Sequence, residues 1–278
     1  MVLPVKRLGA GKTRLRGALP AVSHERLALA LALDTVAAAL DCPEVAVARV
    51  VTDDPLVAQA SARLGADVVP DLPDAGLNAA LLYGLGRQPA GIGVPPGGRA
   101  AAPAAALTAD LPALRAAELA AALRAAQAAN QLAFVPDAAG TGTTLLAAPA
   151  GVAMCPRFGP GSAAAHTAGG ALALAGEWPS LRRDVDTAAD LAAAVRLGVG
   201  RHTRALVAGY GARMQGTVAT YDPESRSGTV LLDDGTQVEF GSAAFDAGGL
   251  RLLRFGQRLQ LEQDATGAVT RVTLPTLP

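Results

Sequence analysis

The first two thirds of the chain alternate short apolar runs with longer stretches whose apolar positions recur at helical spacing. Residues 2–5 form an apolar run at the very start. Ser23 is placed to cap a helix over about residues 24–40. Residues 45–52 (VAVARVVT) are rich in β-branched side chains and predict a strand. Pro55 suits the first turn of the next helix, which should end near Gly65. Residues 67–69 predict a short strand and residues 77–83 the start of a helix. Residues 104–108 are strand-like by position only, because alanine is a poor strand former. A strong helix over 114–130 precedes two strands, 131–135 and 143–147, and a last helix runs from Asp186 or Thr187 to Leu197. This alternation predicts an α/β domain with a mostly parallel sheet and helices on both faces. Ligands in such sheets bind beyond the carboxyl ends of the strands, so chemistry is expected in the segments just after them.

The pattern changes after about Ala208. From Met214 onward helical periodicity disappears, and β-branched runs are separated by turn signals such as Asp222-Pro223, Arg226-Ser227-Gly228, Asp234-Gly235, Gly248-Gly249 and Thr266-Gly267. About five strands in roughly 60 residues predict a small barrel. The expected domains are therefore 1–208 and 212–278. Residues 88–106, rich in Pro, Gly and Ala, read as an insert or loop that carries no chemistry.

Composition narrows the class. Of the 278 residues, 51% are hydrophobic and 17% charged, which excludes an intrinsically disordered chain. Lys plus Arg equals Asp plus Glu at 24 each, which argues against a globally basic nucleic-acid binder. No run is long and apolar enough for a membrane span, and the N-terminus carries its charge after the apolar part, the wrong order for a signal peptide. Two cysteines, Cys42 and Cys155, are too few for a structural zinc site or a secreted scaffold. A soluble, cytoplasmic protein is expected. Only two of the 24 basic residues are lysines, Lys6 and Lys12, and both fall in the first twelve positions.

That segment, Val5 to Arg16, holds Lys6, Arg7, Lys12, Arg14 and Arg16 around Gly9 and Gly11. A glycine-bearing loop after the first strand can bring backbone N–H groups to phosphates, and the cations add charge. Gly11-Lys12-Thr13 mimics the end of a Walker A loop, but Lys6 stands where that motif needs glycine, so a P-loop is rejected. A solvated basic loop is the plain alternative; the confinement of both lysines to this loop favours a polyphosphate site. Asp110 follows a predicted strand. Asp184 and Asp186, spaced i, i+2, point the same way in an extended segment. Each alone reads as a helix cap; as a set they offer oxygen ligands for Mg²⁺. Two small-residue loops, 140–143 (GTGT) and 158–162 (FGPGS), are either ordinary turns or cradles for a phosphate or carboxylate. The second precedes a helix through His166, which reads as an orienting or packing residue rather than a base. Asn78 opens a helix and can read a base edge, meet a ribose or merely cap; sequence leaves these open.

Taken in order, VKRLGAGKTRL, GLNAAL, ADLPAL, GTGTTLL, RFGPGSAAAH and DVDTAADL resemble the guanylyltransferases of coenzyme F-420 biosynthesis, over residues 1–205. The resemblance implies a Rossmann-like three-layer domain of the nucleotide-diphospho-sugar transferase fold. It implies transfer of GMP from GTP to a phosphorylated three-carbon acid with release of pyrophosphate. The acid is phosphoenolpyruvate in actinobacterial members and 2-phospho-L-lactate in archaeal ones, and the alanine- and arginine-rich composition favours the former. 3-Phosphoglycerate and a molybdenum cofactor are the other acceptors considered. By motif, Asp110 and Asp184 would bind Mg²⁺, with Asp186 a third ligand or a partner of the ligands. Thr143, Gly159 and Ser162 would hold phosphoenolpyruvate. Lys6, Lys12 and Arg14 would be the catalytic cations on the GTP phosphates, Gly9 and Gly11 would line the nucleotide, and Asn78 would lie near guanine or ribose. Three departures stand out: Ala109 where the family often has Gly, Gly161 where Asp is common, and a first strand so short that the true start is expected upstream.

The C-terminal segment resembles a cold-shock domain of the OB type through GTVATYD, RSGTVLLDDG and FGQRLQLE. Tyr221, Phe240 and Phe245 are the stacking aromatics that remain for single-stranded nucleic acid. Residues 214–278 carry five Arg against eight Asp plus Glu, the wrong sign for phosphate binding. A packing, dimerisation or regulatory role is expected there, and a homodimer is allowed. The alternative of a different class is a nucleic-acid-binding regulator with a non-catalytic transferase domain.

Overall fold

The computed structural model describes residues 1–19, 22–86, 102–207, 214–233, 235–263 and 268–275. The chain divides into two compact units, Met1–Arg204 and Ala205–Pro278. The expected boundary at 208–212 and most of the 88–106 insert lie outside the described residues.

The first unit runs β1 (Val2–Pro4), a single 3₁₀ turn (Thr13–Leu15), α1 (His24–Leu40), β2 (Arg49–Val51), α2 (Pro55–Leu64), β3 (Asp67–Val69), α3 (Leu77–Gly86), β4 (Ala104–Leu107), α4 (Ala116–Ala129), β5 (Ala133–Pro136), β6 (Thr143–Ala148), α5 (Ser162–Ala168), β7 (Leu172–Ala173), α6 (Pro179–Arg182), α7 (Ala188–Leu197) and α8 (Arg201–Val207). The helix ends are where the sequence marks them. Ser23 accepts the Arg26 N–H at 3.3 Å, and Asp54 accepts those of Leu56 and Val57 in front of Pro55. Thr187 and Asp190 form a reciprocal capping box on α7.

Seven strands pair in the order β3-β2-β1-β4-β6-β5-β7. All neighbours are parallel except β6, which runs antiparallel to both β4 and β5. Side chains alternate across the sheet, as a strand requires. Leu3, Val50, Ala105, Leu107, Val135 and Leu145 pack on one face with α1, α2 and α4. Val2, Val51, Ala106, Phe134 and Leu146 pack on the other with α3 and α5. The unit is thus the expected three-layer α/β arrangement.

Two helices were not expected, the short α6 and α8. The last helix of this unit was placed at 187–197, yet α8 follows it. Its N-terminus is capped from α1: Asp34 accepts the N–H groups of His202 and Thr203 at 2.9 and 2.8 Å.

The second unit contains β8 (Met214–Asp222), β9 (Ser227–Leu232), β10 (Gln237–Phe240), α9 (Ser242–Ala247), β11 (Arg258–Gln263) and β12 (Val269–Thr273). The expected five strands form one antiparallel sheet in the order β10-β9-β8-β11-β12. A small OB-type barrel was expected. Among the described residues the outer strands β10 and β12 share no ladder, so the sheet is curled but open. α9, a single short turn of helix without a periodic pattern, was not foreseen. Phe240 and Phe245 are 3% and 2% exposed, and Tyr221 stacks on both at 6.4 and 5.3 Å. Of the three aromatics considered as base-stacking candidates, Phe240 and Phe245 therefore belong to the core of this unit and Tyr221 packs partly buried against it.

Candidate active site

The site gathers at the edge of the sheet where β1, β4 and β5 end. Because β6 runs the opposite way, its first residue, Thr143, opens at that same edge: Thr143 pairs with Pro136 at the end of β5. The Thr108 N–H beyond β4 donates to the Thr144 carbonyl at 2.9 Å.

The loop after β1 is a tight turn. The Arg7 carbonyl accepts the N–H groups of Ala10 and Gly11 at 3.0 and 3.1 Å. Leu8 N–H donates to the second oxygen of Asp54, so the residue that caps α2 also anchors this loop. Lys12 then adopts a left-handed conformation (φ 53°), rare for a residue with a side chain and a recurrent mark of functional loops. From there its ammonium turns inward and donates to Asp110 Oδ2 and to Asp186 Oδ1, the latter at 2.5 Å. Asp110 is tied to the other acidic segment through its backbone, since its carbonyl accepts the Val185 N–H at 3.0 Å.

Electrostatics follow from this crowding. Burial disfavours the Lys12 charge, but Asp110 and Asp186 outweigh it and hold the ammonium above its ordinary pKa. Asp184 makes no ion pair among the described residues. Burial first, then repulsion from Asp110, Asp186 and Asp137, raises its carboxyl from 3.8 to about 7, with Lys12 pulling weakly the other way. Asp110 Oδ1 is buried with no hydrogen-bond partner among the described residues. The three aspartates are close, but they are not a ready-made cage. Among the described residues no three Asp, Glu, His or Cys side chains are arranged to hold a metal ion, and Lys12 spans two of them instead.

The two small-residue loops sit together beside this cluster. Asp137 organises the first: its carboxylate accepts the N–H groups of Thr141 and Gly142 at 2.9 and 2.8 Å. Arg182 supports it by donating to the Asp137 carbonyl at 3.2 Å. In the second loop Gly159 and Gly161 take φ of 138° and 70°, values that suit glycine. The Ala163 N–H donates to the Thr141 carbonyl at 3.1 Å and joins the two loops.

Most of the expected residues therefore converge. Lys12, Asp110 and Asp186 are in direct contact, with Asp184 beside them; Thr143, Gly159 and Ser162 belong to the adjoining loops. Lys6, Gly9 and Arg14 are exposed along the β1 loop, with Gly11 half-buried in it, and neither Lys6 nor Arg14 is drawn onto the carboxylates. Asn78, expected near guanine or ribose, holds the second loop through its amide. Its Nδ2 donates to the Phe158 carbonyl at 3.1 Å and its Oδ1 accepts the Phe158 N–H at 2.9 Å, so both ends of the amide hold the second loop. Asp137 and Arg182 were missed. Asp137 follows a predicted strand and precedes a Gly-Thr repeat, which was signal enough.

No family model matches the chain. Curated relatives do. It is 60% identical over 207 residues to a phosphoenolpyruvate guanylyltransferase of Salinispora arenicola, covering 74% of this chain and 92% of that protein. It is 55% identical over 214 residues to one of Geodermatophilus obscurus, covering 75% and 94%. It is 49% identical over 209 residues to one of Streptomyces coelicolor, covering 75% and 95%. A crystal structure from Desulfovibrio desulfuricans G20, assigned to the nucleotide-diphospho-sugar transferases, aligns with a TM-score of 0.50 at 19% identity over 75% of this chain and 93% of that one, a likeness of fold. Among the described residues no helix is long and apolar enough to cross a membrane. With the lysine-bridged aspartates, the paired glycine loops and relatives of this identity over nearly their whole length, the chain belongs to the phosphoenolpyruvate guanylyltransferase family of nucleotidyltransferases.

Proposed function

We propose that the first unit transfers a guanylyl group from GTP to phosphoenolpyruvate and releases pyrophosphate, as a cytoplasmic step of coenzyme F-420 biosynthesis. The observation that carries this reading is the Lys12 bridge to Asp110 and Asp186 beside two loops rich in backbone N–H groups and hydroxyls. In the reaction an acceptor phosphate oxygen attacks the α-phosphorus of GTP, a new phosphoanhydride bond forms, and the bond to pyrophosphate breaks. The nucleophile is already an anion, so no general base is needed. The work is to bring two anions together and to stabilise charge on the leaving group.

Lys12, Lys6 and Arg14 would meet the triphosphate along the β1 loop. Thr143, Gly159 and Ser162 would hold the acid. The carboxylates fit a hard divalent cation: among the described residues Asp110 Oδ1 is buried without a partner, and Asp184 is raised by burial and then by the negative charges around it. Asp110 and Asp184, with Asp186, would hold Mg²⁺, which when bound neutralises phosphate oxygens. For the second unit we favour an OB-type module used for packing or dimerisation. Its helix between the third and fourth strands suits that reading, and the burial of Phe240 and Phe245 together with its net negative charge disfavours single-stranded nucleic acid.

The test is incubation of the protein with MgCl₂, GTP and, in turn, phosphoenolpyruvate, 2-phospho-L-lactate or 3-phosphoglycerate, with mass spectrometry of the products. A guanylylated phosphoenolpyruvate is expected; absence of any guanylylated acid overturns the reading.

A further inference from the structure

His166 has both ring nitrogens engaged. Nε2 faces the backbone N–H of Arg157 at 2.9 Å, and Nδ1 faces Thr143 Oγ1 at 3.0 Å. The residue is 1% exposed and packed against the Phe134 and Phe158 rings, with centroids 5.5 and 5.3 Å away. A backbone N–H only donates, so Nε2 must be the unprotonated nitrogen. The neutral ring then carries its proton on Nδ1, directed at Thr143. A doubly protonated ring would set two donors against each other at the Arg157 contact. Burial, and after it the charge of Arg157, hold His166 below its ordinary pKa against a smaller pull from the Ser162 backbone, which keeps the ring neutral.

The consequence falls on Thr143. Its oxygen accepts from the ring, so the hydroxyl hydrogen is not spent there. Among the described residues that hydroxyl makes no other hydrogen bond. Thr143 opens β6 where the two glycine loops meet. We propose that His166 is a positioning residue that fixes the Thr143 hydroxyl as a donor to an anionic oxygen, phosphate or carboxylate, of the acid acceptor. This rests on the reading that Thr143 holds that acid. The opposite tautomer would draw the hydroxyl hydrogen to the ring and turn oxygen lone pairs toward an anion. The same imidazole links the 140–143 loop, through Thr143, to the 158–162 loop, through Arg157, so the acceptor subsite is set as one unit.

Two measurements test this. The first is long-range ¹H–¹⁵N correlation NMR of the imidazoles in the wild-type, substrate-free protein. A protonated Nδ1 and bare Nε2 are expected for His166, and the reverse overturns the proposal whatever the protein catalyses. The second is steady-state kinetics of Thr143→Val, His166→Gln, His166→Asn and the Thr143→Val/His166→Gln double variant, each first checked for folding by circular dichroism. Gln reaches the Nε2 position but leaves Thr143 without its donor, so KM for phosphoenolpyruvate should rise about tenfold with KM for GTP unchanged. Asn keeps an N–H near the Nδ1 position and should recover most of that loss. The double variant should be no worse than Thr143→Val. Additive losses, or an equal rise in KM for GTP, would show that the ring only supports the fold. A wild-type enzyme that ignores phosphoenolpyruvate would refute the functional reading instead, and the NMR result would still decide the tautomer.

Discussion

Lys12 Nζ donates to Asp186 Oδ1 across 2.5 Å while also engaging Asp110, so one ammonium closes a bridge between the loop after β4 and the loop before α7. If the proposed Mg²⁺ is held by these aspartates, Lys12 and the ion compete for the same two carboxylates. Lys12→Ala should lower GTP-dependent pyrophosphate release at least about 100-fold, the usual scale for removing a charge-stabilising group. It should also leave Asp110, Asp184 and Asp186 repelling one another. Titrating Mg²⁺ into thermal melts should then raise Tm more for Lys12→Ala than for the wild type. Equal Mg²⁺ responses would sink the shared-ligand assignment.

Asp184 gives a pH signature. Its carboxyl titrates near 7 in the folded protein against 3.8 in the unfolded chain. The folded state therefore holds a proton that the unfolded state has released, and stability from this group is full below about pH 4 and lost as pH rises through 7. In EDTA, Asp184→Asn should be more stable than the wild type at pH 8 by about 1–2 kcal/mol, after allowing for solvent screening, and little different at pH 4. Denaturant melts at the two pH values measure it; a gap that does not change with pH would falsify the raised Asp184 carboxyl. The same variant should lose transfer activity.

The layers of the first unit were legible because each local rule agreed with the next. Ser23, Asp54, Gly65 and Thr187 mark helix ends by their own chemistry, and the alternation of Val2 with Leu3 and of Val50 with Val51 follows from strand geometry. What was not legible depends on partners distant in sequence. α8 is capped by Asp34, 168 residues away from His202, and no local pattern announces it. The reversed direction of β6, which delivers Thr143 to the site, is a property of the whole sheet. The aspartates were found as residue types. That Lys12 would bridge two of them from a left-handed backbone was not written in their spacing.

Asp137 was overlooked although its partners are only four and five residues away, and its role is testable. It accepts two N–H groups of the Gly140–Thr143 turn, and a Cβ on Gly142 would lie 2.3 Å from its Oδ2. Asp137→Ala frees that turn and removes one of the charges that raise Asp184. KM for phosphoenolpyruvate should rise about tenfold, more than KM for GTP, with a stability loss of about 1–3 kcal/mol. Gly142→Ala should reproduce the kinetic defect by pushing the carboxylate away. If both variants retain wild-type KM for the acid, the 140–143 loop does not shape its subsite.

Asn78 separates two readings of the nucleotide side. Each end of the Asn78 amide makes one hydrogen bond to the Phe158 backbone, which fixes the side chain on the second loop and leaves one N–H and one lone pair for any other partner. Asn78→Ala should therefore disturb the Gly159–Ser162 turn and raise KM for phosphoenolpyruvate about tenfold, while the preference for GTP over ATP stays intact. Asn78→Asp should be worse than Ala, because it keeps the acceptor for the Phe158 N–H but sets an anion against the Phe158 carbonyl. Competition assays with the two nucleotides read the first effect and acceptor titrations the second. Loss of GTP preference with an unchanged acceptor KM would return Asn78 to the guanine.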